Sequence, residues 1–256
     1  MLSDAAGLAE QAADALRRGD VEASSRLQRE AESAWWRARR LGQRQAKRPA
    51  RVRAPSARER TVAALTELAV PSSPKQIAAY AEARTGDAFD VRALASVRRD
   101  ELRSWSSGSK RDTYIVPALE GPWFQAGRGR LALSHWPLRQ RIVGPLSPRV
   151  DHLHTCLQII ERIESADADR ESGGRMRALL AEYARSIPGA LVDAWTSGDD
   201  LEVSRIRTAV AAELVLIERD DASSREREAE RAARRLTPEQ LVWGGSMPQV
   251  VAGRSG

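Results

Sequence analysis

Residues 56–105 read SARERTVAALTELAVPSSPKQIAAYAEARTGDAFDVRALASVRRDELRSW, and three helix starts stand out in them. Ser56 followed by Glu59 fits a capping box, in which the hydroxyl accepts from an early backbone N–H and the carboxylate reaches back to the cap. Ser73 with Gln76 repeats it, with Pro74 at the first helical position, where its missing N–H costs nothing. Asp90 caps the third helix. Val62, Leu65, Leu68 and Ala69 supply a buried stripe for the first helix. Ile77, Ala78, Tyr80 and Ala81 do so for the second, which Thr85-Gly86 stops. On the third, steps of about 100° per residue put Val91, Leu94, Ala95, Leu102 and Trp105 on the core side. Arg92, Ser96, Arg99 and Arg103 then form a single row on the opposite side. Arg98 projects toward the apolar side, where an unpaired charge is expensive. A carboxylate such as Glu67 or Glu82 must meet it, or it must snorkel at the edge.

Beyond Trp105, Ser106-Ser107-Gly108-Ser109-Lys110 is a loop signal. Tyr114-Ile115-Val116 and Leu131-Ala132-Leu133 read as strands, with breaks at Pro117 and Gly121-Pro122. Gly127-Arg128-Gly129-Arg130, between them, reads either as a flexible tip that touches phosphate or as an ordinary hairpin loop. Trp123, Phe124 and Trp136 are expected to support the hairpin and the core.

Three capped helices followed by a hairpin resemble the winged helix-turn-helix superfamily, over residues of about 56–140, a third of the chain. The resemblance rests on element order and caps. It implies DNA recognition by the third helix together with the wing, most commonly for transcription regulation. Under it Arg92, Ser96, Arg99 and Arg103 would read bases in the major groove, since an arginine fork matches the guanine edge. Lys75, Lys110, Arg128 and Arg130 would hold phosphates. Residues 106–130 are long for a simple hairpin, which leaves open a wing reshaped for protein contact.

Charge placement agrees with that reading. Lys and Arg against Asp and Glu number 4 and 7 in residues 1–36, 23 and 9 in 37–150, and 14 and 19 in 151–256. The net charges of −3, +14 and −5 concentrate the positive field around the three helices, as phosphate binding requires. Residues 37–60 carry ten basic side chains and one acidic, interrupted by Pro49 and Pro55. Arg44, Lys47, Arg48, Arg51 and Arg53 there read either as an arm that tracks DNA or as a solvated linker. The 38 arginines against 3 lysines point to a GC-rich genome.

The expected fold is mainly α, a winged helix-turn-helix at 56–146 flanked by further helices. An N-terminal helical hairpin at 1–41 and a basic linker at 42–55 precede it; a C-terminal helical bundle at 147–236 and a tail at 237–256 follow. In that bundle, Val150, Leu153, Leu157 and Ile160 recur at a/d spacing. Met176, Leu179, Leu180, Tyr183 and Ile187 form a second amphipathic face, and Val203, Ile206, Val210, Leu214 and Ile217 a third. Terminal helices of this kind make a small bundle in one chain or a homodimer, which would match a two-half-site operator. Residues 222–236, almost wholly charged and alanine, read as a helix that is solvated or held by a partner. Leu241-Val242-Trp243 would dock on a protein partner or fold back.

Other classes find little support. No stretch approaches the roughly 20 apolar residues of a membrane span, and the Met1-Leu2-Ser3-Asp4 start lacks the features of a secretory signal. With one cysteine, Cys156, the chain suits a reducing compartment, and the cytoplasm or nucleoid is expected. No Gly-rich phosphate loop follows a strand, and no catalytic triad can be assembled from His135, His152 and His154. Only His152 and Cys156 would share a helix face, too few for a zinc site. No enzymatic activity, metal or cofactor is expected. The alternative to DNA binding is a non-enzymatic scaffold whose winged helix and terminal helices bind protein.

Overall fold

The computed structural model describes residues 55–121, 125–165, 170–193, 198 and 200–245, with isolated positions 11, 23, 26, 27 and 30. The chain divides into two compact units, residues 1–54 and residues 55–256. The expected hairpin at 1–41 and the basic arm, including Arg44, Lys47, Arg48, Arg51 and Arg53, lie outside the described residues, those isolated positions aside.

The second unit is mainly helical with a small sheet, and no described helix is long and apolar enough to cross a membrane. It opens with α1 (Ala57–Leu68), α2 (Pro74–Thr85) and α3 (Val91–Ser106). Both capping boxes close: Ser56 Oγ accepts from the Glu59 N–H and Ser73 Oγ from the Gln76 N–H, with the return bonds in place. Asp90 accepts from the Arg92 N–H at the start of α3. At the end of α2 the chain must reverse, and Gly86 takes a left-handed φ of 76°, which a side chain would resist. Arg60 of α1 fixes the turn that follows, donating to the carbonyls of Asp87 and Ala88 and lying over the Phe89 ring at 4.7 Å. Glu82 accepts from the Phe89 N–H at 2.6 Å.

β1 (Ile115–Glu120) and β2 (Gln125–Leu133) form an antiparallel hairpin, and β3 (Ile142–Val143) adds parallel to β1, giving the order β2-β1-β3. Ser72, between α1 and α2, exchanges two backbone hydrogen bonds with Leu131, so the α1–α2 segment extends the sheet on the β2 side. Two expectations change here. Pro117 does not break the strand. It stands beside a bulge, and β3 pairs with β1 only at Leu119 and Glu120. Gly127-Arg128-Gly129-Arg130 is not the hairpin tip but part of β2, bulging opposite Ala118 where pairing skips from Pro117–Leu131 to Leu119–Ala126.

After a single helical turn, α4 (Leu138–Arg141), come α5 (Ser147–Glu164), α6 (Arg170–Ala184), α7 (Val203–Arg235) and α8 (Pro238–Trp243). The sequence places a boundary between residues 146 and 147, but one continuous core runs across it. Leu65, Ile77, Leu94 and Ile115 share that core with Leu153, Ile159, Leu180 and Ile206. α6 also closes the C-terminal end of α2. Ser172 and Arg175 donate to the otherwise unused carbonyls of Arg84 and Ala83.

Residues 222–236 are not a separate polar helix but the second half of α7, whose 33 residues run unbroken. Asp221, Arg225, Ala229 and Ala232 form its buried stripe. Arg225 donates to Asp221 and to Asp151 of α5, both at 2.6 Å, and to the Ile142 carbonyl of β3. Asp221 accepts from Ser147, whose oxygen accepts from the Gly144 N–H, and Asp151 also accepts from Arg130 of β2. Burial works against the Arg225 charge, but the two aspartates outweigh it and hold its pKa above the ordinary arginine value. Burial raises the Asp151 carboxyl above the usual aspartate range, and Arg225 and Arg130 oppose that shift.

Leu241-Val242-Trp243 folds back on the chain: Leu241 packs on the cluster of Leu119, Ile142 and the α7 residues Ala229 and Ala232, and Trp243 reaches the end of α3. Trp243 is buried and meets Trp105 and Tyr114 edge-on, with centroids 6.1 and 6.4 Å apart.

Arg225→Ala leaves two buried carboxylates facing each other and is expected to cost about 3–5 kcal/mol. Urea denaturation of both proteins, compared at equal slope, measures the loss.

Candidate nucleic-acid interface

α3 decides which side chains can face a ligand. Its buried stripe is Leu94, Val97, Glu101 and Ser104, rotated from the expected Val91, Leu94, Ala95, Leu102 and Trp105. Val91 and Ala95 are exposed, and Leu102 and Trp105 half-buried. Glu101 causes the rotation. Its carboxylate is fully buried and accepts from Arg58 of α1, from Arg111, and from the Ile115 N–H that starts β1. One acidic side chain thus joins the first helix, the third helix and the sheet. A buried carboxylate survives only when charged donors surround it, and here two arginines do.

The rotation removes the conflict at Arg98, which is exposed and needs no carboxylate. The two candidates for it are engaged elsewhere. Glu67 bonds Tyr80 and Arg84, and Glu82 caps the turn before α3.

Arg92, Ser96, Arg99 and Arg103 are all exposed. Arg99 donates to Ser96 Oγ at 3.1 Å, and Arg103 pairs with Asp100 at 3.0 Å on the open surface. Contacts this exposed are weak and exchange easily for a phosphate or a base edge. Lys75 is exposed on the first turn of α2, where the helix dipole adds to its charge, and Lys110 is exposed after α3.

Two expected phosphate contacts fare differently. The Arg128 side chain lies outside the described residues. Arg130 is turned inward, donating to Asp151 and to the Pro71 carbonyl with only 16% of its side chain exposed, so it is not free to meet a phosphate. The end of β1 is also less open than the sequence suggests. A side chain at Gly121 would come within 3.0 Å of Glu228 of α7, and Leu119 packs with Ile142, Ala229 and Ala232.

A cleft of about 510 Å³ lies between α4, α5 and α7, with Asp151, Asp221 and Arg225 in its wall. Those three groups are bonded to one another, so they hold the helices together and do not present free donors. At its rim His154 meets Glu218 at 2.9 Å. Cys156 is buried, with its thiol pushed up to about 12 by burial, and His152 stacks on Tyr183 at 5.0 Å. Among the described residues no three His, Cys, Asp or Glu side chains converge as a metal site.

Glu101 and Arg225 were not singled out from the sequence. A signal exists for each. Glu101 falls seven residues after Leu94 and four after Val97, in phase with the core stripe, and Asp221 and Arg225 are an i,i+4 pair in phase with Leu214.

His152 provides a pH test. Burial lowers its pKa below 6.5, so the folded protein disfavours the proton that the unfolded chain accepts. Its contribution to stability is therefore complete above about pH 6.5 and is lost as the pH falls below it. His152→Gln is expected to flatten the decline in melting temperature between about pH 6.5 and 5 relative to the parent protein. No protein-family model matches the chain, and neither the curated proteins nor the solved structures contain a match.

Proposed function

We propose that residues of about 56–140 are a winged helix-turn-helix and that the protein binds double-stranded DNA, as a transcriptional regulator. The observation that carries the reading is the exposed row Arg92, Ser96, Arg99 and Arg103 on the third helix of a three-helix unit. The α2–α3 turn, fixed by Gly86, Arg60 and Glu82, holds that row at a set angle to the rest of the unit. The hairpin after α3 and the Ser72–Leu131 bridge supply the strands that a winged helix uses. In this reading the row enters the major groove, Lys75 and Lys110 meet flanking phosphates, and the net charge of +14 over residues 37–150 draws the duplex in. Arg130 is omitted from the phosphate contacts because Asp151 holds it.

A second reading, a non-enzymatic scaffold, is favoured by one observation. The last described residues of β1 and its turn, Leu119 to Gly121, pack against β3 and α7. In that case the winged fold serves as a protein-binding platform.

Anisotropy titration of the full chain with a random-sequence duplex across a salt series separates the two. DNA binding predicts an affinity that falls steeply with salt, with a log–log slope of about −0.9 per phosphate contacted. Affinity that is absent at low salt, or indifferent to salt, rejects it. On a selected sequence, Arg99→Ala and Arg103→Ala are each expected to cost about 1–3 kcal/mol while random DNA is bound almost as before. An equal loss on both would make these side chains phosphate contacts.

A further inference from the structure

The apolar faces of α5, α6 and α7 that the sequence offers for pairing are spent on the chain's own core, since Val150, Leu179, Ile206, Val210 and Leu214 are all buried. The opposite face of α7 is different. Val215 and Leu216 are the most exposed large hydrophobic residues described, at 81% and 76%. These two adjacent apolar side chains, near the middle of a 33-residue helix, are left uncovered by the described residues.

We propose that this face of α7 pairs with the same face of a second copy, antiparallel, about a two-fold axis between Val215 and Leu216. Around the apolar pair the exposed residues recur at spacings of 3 and 4: Arg205, Thr208, Ala212, Val215, Arg219, Ser223 and Glu226. That spacing puts them on one face of the helix with Val215 near its centre. Together with Leu216, this face is complementary to itself when reversed about the point between Val215 and Leu216. Val215 then opposes Leu216, Ala212 opposes Arg219, Thr208 opposes Ser223, and Arg205 opposes Glu226. A small side chain faces a long one, two hydroxyls face each other, and a cation faces an anion, each twice by symmetry. Within one chain Arg205 donates to the Gly189 carbonyl and Glu226 lies 3.6 Å from Arg139, both on the open surface where such contacts are weak and exchange. The like charges nearest the axis, Glu213 and Glu218, are each engaged within the chain, Glu213 by the Arg149 guanidinium and Glu218 by a hydrogen bond with His154 Nε2 at 2.9 Å. The seam from Arg205 to Glu226 is roughly 30 Å long. A single helix pair of that length buries less than the ~800 Å² per partner of a standard interface, so dissociation in the micromolar range is expected.

This extends the DNA reading, because a two-fold pair of chains suits a site with two half-sites, but its test contains no DNA and each can fail without the other. Sedimentation velocity of the full chain from low to high micromolar concentration should show a monomer–dimer equilibrium. Val215→Glu with Leu216→Glu should weaken the dimer at least tenfold, about 1.4 kcal/mol, with circular dichroism and melting temperature unchanged because both side chains are exposed. A wild-type chain that stays monomeric, or a dimer that survives the double substitution, overturns the proposal. Arg205→Glu and Glu226→Arg should each weaken the dimer, and the two together should restore it. Failure of that rescue overturns the antiparallel pairing.

Discussion

Arg225 sits between Asp151 and Asp221, and its third contact is the carbonyl of Ile142. Through these bonds and the link from Asp151 to Arg130, one cationic side chain ties α7 to α5, to β3 and to β2. Its burial is costly, and only the close approach of two carboxylates with all three nitrogens engaged makes it tolerable. The cost has a structural return in position. Apolar contacts between α5 and α7 would tolerate sliding by a turn, whereas a charge network with three named acceptors has one register.

That register determines what the hairpin can do. With α7 fixed, Glu228 lies against Gly121 and the pair Ala229 and Ala232 packs on Leu119. The end of β1, from Leu119 to Gly121, is therefore held, and Arg130 is drawn inward to Asp151. The outer row of α3 is the part of the three-helix unit left open, with Lys75 and Lys110. Glu101 acts in the same way on the other side. By drawing Arg58, Arg111 and the start of β1 together, it sets the rotation of α3 and with it which side chains face outward. Two buried charge clusters thus orient two surfaces, the basic row of α3 and the exposed outer face of α7.

The sequence by itself determined the local elements. Capping boxes at Ser56 and Ser73, the Asp90 cap and the Gly86 stop are short-range chemistry, legible in four or five residues, and α1, α2 and α3 begin where they indicate. The Arg92, Ser96, Arg99 and Arg103 row was legible for the same reason, because helical spacing alone puts four such residues on one side. Tertiary structure decided what spacing could not. Arg98 lies close enough to the apolar arc that only the pull of Arg58 and Arg111 on Glu101 tells it to face water. Arg130 and Arg128 look alike in a Gly-Arg-Gly-Arg run, and only the approach of Asp151, 21 residues on, buries Arg130. Residues 222–236 look solvated because burial of Arg225 depends on a partner from another helix. A charged side chain is cheap in water and costly inside unless paired, so its placement depends on long-range partners that local sequence does not contain.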